Sequence, residues 1–291
     1  MLSNSLIEQL QKYQLDPVYV EDLVVRTIAE DLAGGIDVTS VATIPDDQKS
    51  IGEFRVRRAG TVSGLNIAAA VLESQGITEY SLHAAEGDRV IAGQIILVVK
   101  GNTRKLLLAE RTCLNFLGRL SGISTLTHRW VEDVKGLPVQ IRDTRKTTPL
   151  HRELEKFAVR MGGGTNHRMS LSDAALIKDN HILAAGGVTK AFEAVRKLFP
   201  NIAVEVEVDR LEQLRDVVEA GADLVLLDNM SLEQCRAAVE MVQGRIKLEA
   251  SGGLTLENAR AYASTGVDYL AVGALTHSAA VLDIGLDFKA D

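Results

Sequence analysis

The chain has 291 residues, 46% of them hydrophobic, and a formal charge of −7. That supplies apolar mass for one large domain or two modest ones, and the acidic balance excludes a general nucleic-acid or membrane surface, which needs broad positive potential. Cys113 and Cys235 stand far apart with no partner at metal or redox spacing, so neither a disulfide framework nor a zinc site is indicated.

"LIEQLQKYQ" and "YVEDLVVRTIAED" predict helices near the N-terminus. "MLSNSLIEQLQKYQLDP" has no basic start followed by an apolar run, and no later stretch is long and apolar enough to cross a bilayer, so the expected location is the cytoplasm. "GEFRVRRAGTVSG", "YSLHAAEGDRV" and "GQIILVVKGN" predict strands punctuated by turn residues, which makes the first region α+β with an antiparallel sheet. "LLLAERTCLNFLGRLSGISTLTHRWVEDV" predicts a long helix bridging to a second domain. We expect domains at 1–114 and 115–275, with 276–291 returning to the first.

After Gly136 short apolar runs recur: "PVQIRDT", "AALIKDN", "AVEVEVD", "DLVLLDN", "KLEASGG" and "YLAVGA". Most are followed by an amphipathic helix, with Leu150, Leu154, Phe157, Ala158 and Met161 expected on one face of the first. Gly221 is expected to end one helix, and "SLEQ" from Ser231 to open another with a capping box. Repeated βα units imply a parallel sheet, and six of them favour an α/β barrel or open barrel, with a doubly wound sheet as the alternative. No G-x-G-x-x-G follows a strand, so a dinucleotide fold has no support.

The polar residues cluster at the C-terminal ends of these runs. In a βα barrel those ends form the catalytic face. The groups are Asp143, Thr144, Arg145 and Lys146; Lys178, Asp179 and Asn180; Glu205, Glu207 and Asp209; Asp228 and Asn229; Glu249, Ser251 and Gly252; and Gly273. In "AVEVEVD" a period of two turns the valines toward covering helices and Glu205, Glu207 and Asp209 inward. Inward carboxylates are costly unless paired or bound to a cation. Glu207 with Asp228 on the next strand is a candidate Mg²⁺ site, whose oxygen ligands and retained waters suit a phosphorylated substrate. For Glu205 and Glu249, an internal ion pair with Lys178 or Lys247 is an equal alternative.

"SGG" at Ser251, Gly252 and Gly253, and "VGA" at Val272, Gly273 and Ala274, follow the last two strands, a frequent place for a phosphate. Between Arg142 and Lys178 there are eight Lys or Arg against four Asp or Glu. Arg152, Lys156 and Arg160 are expected on the solvated face of a helix, while Arg145, Lys146, His167, Arg168 and Lys178 converge on the strand ends. That exceeds what one phosphate needs, so two anions are expected, one phosphorylated and one carboxylated.

Together "EDLAGGIDVTS", "ERTCLNFLGRLSGIST", "IRDTRKTTP", "GGGTNHR", "EVEVD", "DLVLLDNMS" and "LEASGGLTLENARAYASTGVDYLAVGALTHSA" resemble the quinolinate phosphoribosyltransferase family from about Glu21 to Ala280. The resemblance implies an N-terminal α/β sandwich beside an open α/β (TIM-like) barrel. It implies transfer of phosphoribosyl from 5-phosphoribosyl 1-diphosphate to quinolinate, with loss of pyrophosphate and CO₂, yielding nicotinate mononucleotide for NAD synthesis. It places Arg111, Thr144, Arg145, His167, Arg168 and Lys178 on quinolinate, and Lys146 between the substrates. Glu207 and Asp228 become the Mg²⁺ and ribose-side acids, acting with Lys146 in catalysis, and residues 251–253 and 272–274 meet the phosphates. It also implies a homodimer or hexamer in which Arg111 completes the neighbouring site. A paralogue acting on another heteroaromatic acid, and a non-catalytic binder of phosphorylated sugars, are the competing readings.

Overall fold

Local chemistry sets the first helices. Ser3 caps Asn4–Lys12 by accepting from Leu6 N, and Asp16 caps Pro17–Leu32 by accepting from Val18 N, with proline at the first helical position. A computed structural model describes residues 1–289 and divides them into two units by contact density.

The first unit comprises Met1–Leu126, Glu153–Gly163 and the chain from Ala279 onward. Its antiparallel sheet has the order Ile284–Phe288, Lys49–Val56, Ile95–Asn102, Glu79–Leu82. Phe54, Val56, Leu97 and Val99 are fully buried. The helix Leu65–Ser74, buried along almost its whole length, packs against the two N-terminal helices. The C-terminal strand pairs Gly52 with Phe288 through Val56 with Ile284. Of the segment 276–291 expected to return here, Ala290 and Asp291 lie outside the described residues.

The bridging segment is one helix, Thr103–Asp133, and the two units divide within it between Leu126 and Thr127. Neither proline nor a cap interrupts "CLNFLGRLSGIST", so nothing local marks a boundary at 114.

One expectation is corrected in the helix Arg152–Met161. Lys156 is fully buried rather than solvated, and Glu155, 1% exposed, pairs with Arg119 at 2.8 Å. Arg160 donates to the carbonyl of Tyr13 at 2.6 Å, and Arg152 to Thr147 Oγ1 and the Met169 carbonyl. The helix is covered on its charged face as well as its apolar one, which periodicity cannot reveal. Leu150 stands outside the helix, 68% exposed at φ +65°, so it is not on the apolar face.

The second unit, Thr127–Arg152 with Gly164–Ser278, holds six parallel strands. In chain order they are Gln140–Arg142, Ala175–Ile177, Val204–Val208, Leu224–Asp228, Lys247–Ser251 and Tyr269–Ala271. Each pairs with its chain neighbour from the second strand to the sixth, and the sixth pairs with the first. That is the order of a singly wound barrel left open between its first and second strands. A doubly wound sheet would reverse direction partway, and this one does not. The expected cap is present: Ser231 Oγ accepts from Gln234 N, and Gln234 Oε1 accepts from Ser231 N. Gly221, at φ +81°, closes the helix Leu211–Ala220.

The third strand shows why the chemistry faces inward. Val204, Val206 and Val208 are essentially unexposed, each burial contributing about 1.5–3 kcal/mol. With that face committed to apolar packing, alternation aims Glu205 and Glu207 the other way.

Candidate active site

At the C-terminal ends of the parallel strands lies a cavity of about 310 Å³, contained wholly in the second unit. Thr144, Arg145, Lys146, His167, Arg168, Lys178, Glu207, Asp228 and Ser251, all predicted from sequence, line it. Glu249 and the apolar Leu176, Leu226 and Ala271 complete the walls. Gly252, Gly253, Val272, Gly273 and Ala274 are not among those walls. Arg111 belongs to the first unit, exposed on the helix Thr103–Asp133.

The basic side is built on a buried aspartate. Asp143, unexposed after the first strand, accepts from His167 N at 2.8 Å and from Asn166 Nδ2 at 2.6 Å. The sequence grouped it with the mouth residues; its work is to hold the 165–168 loop against the strand. Gly163, at φ +90°, turns the chain back from the preceding helix. Arg168 donates to the Ala174 carbonyl at 2.8 Å. Burial, reinforced by the neighbouring Arg145 guanidinium, holds Arg168 below the ordinary arginine value. The Nε atoms of Arg145 and Arg168 are buried without a hydrogen-bond partner. Two guanidinium groups of like charge lining one cavity are a costly arrangement that an anionic ligand would relieve.

The acidic side is Glu207 and Asp228. Glu207 Oε2 lies 2.5 Å from Lys178 Nζ, and Asp228 Oδ2 accepts from Asn229 Nδ2 at 2.9 Å. Both carboxylates also line an adjoining cavity of about 370 Å³ with Asp179, Asp209 and Arg210. Partly exposed oxygen donors on adjacent strand ends, lining both cavities, suit Mg²⁺ with retained waters. Asp209 is corrected: the strand ends at Val208, and Asp209 is exposed beside Arg210 rather than facing inward.

Around Glu249 in the cavity wall, the expected lysine partners of Glu205 and Glu249 are replaced. Glu249, unexposed, pairs with Arg142 at 2.7 Å, and His167 Nε2 lies 2.8 Å from Glu205. Lys247 sits at the other end of its strand and pairs with Asp268, while Lys178 is held by Glu207. Burial, ahead of repulsion from Glu205, pushes the Glu249 carboxyl up to about 7. Sequence reasoning counted Arg142 in the basic run without giving it a place. The signal was available, because period two puts Arg142 on the face opposite buried Ile141.

The glycine loops are shaped by close approach. A Cβ on Gly252, at φ +89°, would stand 2.2 Å from Asn229 Oδ1, and one on Gly273 would stand 3.0 Å from Lys146 Cδ. Thr276 Oγ1 donates to the Lys146 carbonyl at 2.8 Å, tying the Lys146 loop to the short helix Ala274–His277. The Val272 amide is committed to the Arg142 carbonyl at 2.8 Å.

Two family models match, together spanning most of the chain: the quinolinate phosphoribosyl transferase N-terminal domain over residues 37–121 and its C-terminal domain over 123–287. The nicotinate-nucleotide pyrophosphorylase [carboxylating] of Mycobacterium leprae is 48% identical over 272 residues, covering 91% of this chain and 96% of that protein. Quinolinate phosphoribosyltransferase [decarboxylating] 2, mitochondrial, of Nicotiana glauca is 38% identical, covering 97% and 86%. The solved nicotinate-nucleotide pyrophosphorylase of Francisella tularensis superposes with a TM-score of 0.91 at 38% identity, covering 95% of this chain and 98% of that one. On these matches, which run through both units, the chain belongs to the quinolinate phosphoribosyl transferase family.

Proposed function

We propose that the chain transfers phosphoribosyl from 5-phosphoribosyl 1-diphosphate to quinolinate, releasing pyrophosphate and CO₂ and forming nicotinate mononucleotide, a step of NAD synthesis. The observation that carries this is one cavity lined by Arg145, Arg168 and Lys178 on one side and the Glu207–Asp228 pair on the other. A planar dicarboxylate matches guanidinium geometry, and a polyphosphorylated ribose matches a metal-binding acid pair beside glycine loops.

In the first step the pyridine nitrogen lone pair forms a bond to ribose C1 as the C1–O bond breaks and its electrons leave with pyrophosphate. Arg145, Arg168 and Lys178 bind and orient the dicarboxylate so that its nitrogen faces C1, which is where proximity contributes most. Lys146, packed against Gly273, carries its ammonium between the two anions. Glu207 and Asp228 would hold Mg²⁺, which when bound neutralises the diphosphate and makes it a better leaving group. Their carboxylates also stabilise positive charge developing at C1. In the second step the bond from C2 to its carboxylate breaks. Its electrons stay on C2 as an in-plane carbanion stabilised by the adjacent cationic nitrogen, and C2 takes up a proton from water. Neither step requires a nucleophilic side chain.

The assembly is a homodimer in this reading, or a hexamer built from dimers, with Arg111 reaching a neighbouring cavity; its exposure on a helix supports that role. The two buried free thiols are in keeping with a cytoplasmic setting. Purified protein with both substrates and Mg²⁺ should release CO₂ and pyrophosphate in equal amounts. Equal or better use of nicotinate would favour the paralogue, and quinolinate binding without product would favour the binder.

A further inference from the structure

The sequence sets His167 against the dicarboxylate, yet both of its ring nitrogens are engaged within the protein. The backbone N–H of Arg168 donates to His167 Nδ1 over 2.7 Å. An amide nitrogen can only donate, so Nδ1 presents its lone pair and the ring proton sits on Nε2. That nitrogen lies 2.8 Å from Glu205 Oε2 and 3.4 Å from Glu249 Oε1. Glu249 gives its other oxygen to Arg142, whose guanidinium stacks 4.3 Å from the Tyr269 ring centre. His167, Glu205 and Glu249 are all buried, and the His167 backbone is fixed by Asp143.

The same three buried side chains have ligating atoms within 4.8 Å of one another. A cation there would need the Nδ1 lone pair, which the Arg168 amide occupies, or Nε2 stripped of the proton that faces two carboxylates. The geometry therefore favours a proton-bearing anchor over a metal. What the anchor holds is Arg168, fixed at its backbone by His167 and at its side chain by the Ala174 carbonyl, with Nε left as a buried donor without a partner.

We propose that His167 is a positioning residue: its imidazole couples the buried Glu205–Glu249–Arg142 cluster to the backbone of Arg168, and quinolinate is gripped by Arg168 rather than by the imidazole. The proposal rests on the quinolinate reading of the cavity. It divides the basic side into residues that touch substrate and one that acts through its neighbour.

The test uses the full-length enzyme with three variants. In His167→Asn the amide oxygen stands where Nδ1 accepts; in His167→Gln the amide nitrogen donates where Nε2 does; His167→Ala does neither. His167→Ala should raise the KM for quinolinate about tenfold, the scale of one lost hydrogen bond, and leave the KM for 5-phosphoribosyl 1-diphosphate unchanged. His167→Asn should recover most of that loss and His167→Gln a smaller part. If neither conservative variant improves on His167→Ala with folding intact by circular dichroism, the proposal fails. Ring-¹⁵N histidine NMR of the wild-type protein, assigned by the signal lost in His167→Asn, needs no variant to be active. It should show Nδ1 unprotonated and Nε2 protonated, with that pattern retained when quinolinate is added. A doubly protonated ring on binding would make His167 a direct ligand and overturn the proposal. Wild-type turnover of quinolinate separately tests the functional reading.

Discussion

The Lys178 ammonium lies 2.5 Å from the Glu207 carboxylate, so a proposed quinolinate ligand and a proposed Mg²⁺ ligand are paired with each other. A cation at Glu207 competes with Lys178, and an anion at Lys178 competes with Glu207. Arrival of both ligands releases the pair at once. We expect Lys178→Met to tighten Mn²⁺ or Mg²⁺ binding, measured by calorimetry without substrates, while quinolinate affinity falls about tenfold. Unchanged metal affinity would show that the pair does not gate the acid site.

Glu249, unexposed in the cavity wall, pairs with Arg142 behind it. Removing only the cation leaves a buried carboxylate uncompensated, so Arg142→Met should cost roughly 3–5 kcal/mol at pH 8. Arg142→Met combined with Glu249→Leu should regain much of it. Thermal melting of the single and double variants decides this.

The same carboxyl makes stability depend on pH. Glu249 is raised from 4.5 to about 7 by burial first and by Glu205 second. The folded chain then holds this proton to higher pH than the unfolded chain. Its stabilising contribution is full below pH 4.5 and is lost as pH rises toward 7. Replacing Glu249 with Gln, which cannot ionise, should flatten the melting temperature profile over that window. The cost of Arg142→Met should likewise be smaller at pH 5 than at pH 8. A Glu249→Gln profile parallel to wild type would refute the assignment.

Gly252 combines φ +89° with a virtual Cβ 2.2 Å from Asn229 Oδ1. Gly252→Ala should destabilise the chain by about 1–3 kcal/mol and raise the KM for 5-phosphoribosyl 1-diphosphate more than that for quinolinate. Steady-state kinetics with each substrate varied in turn checks the asymmetry.

Arg111→Ala should impair turnover without lowering the melting temperature, since the side chain is exposed. Mixing Arg111→Ala with Arg145→Ala subunits should restore part of the activity. No recovery after subunit exchange verified by mass would count against a shared site.

The six strands, their inward acids and the basic strand ends were legible from sequence, because alternation and βα repetition are local properties of the chain. Val204, Val206 and Val208 commit one face to packing, and Glu205 and Glu207 must then take the other. The capping box at Ser231 and the turn at Gly221 were readable for the same reason. Partner choice was not. Nothing local tells Glu249 to pair with Arg142, 107 positions away, rather than with Lys247 two positions away. Nor does anything local bury Lys156 or aim Nε2 of His167 at Glu205. Ion pairing and burial depend on which segments the sheet order brings side by side, so sequence periodicity determined which face each residue takes, and only the tertiary structure decided what it meets there.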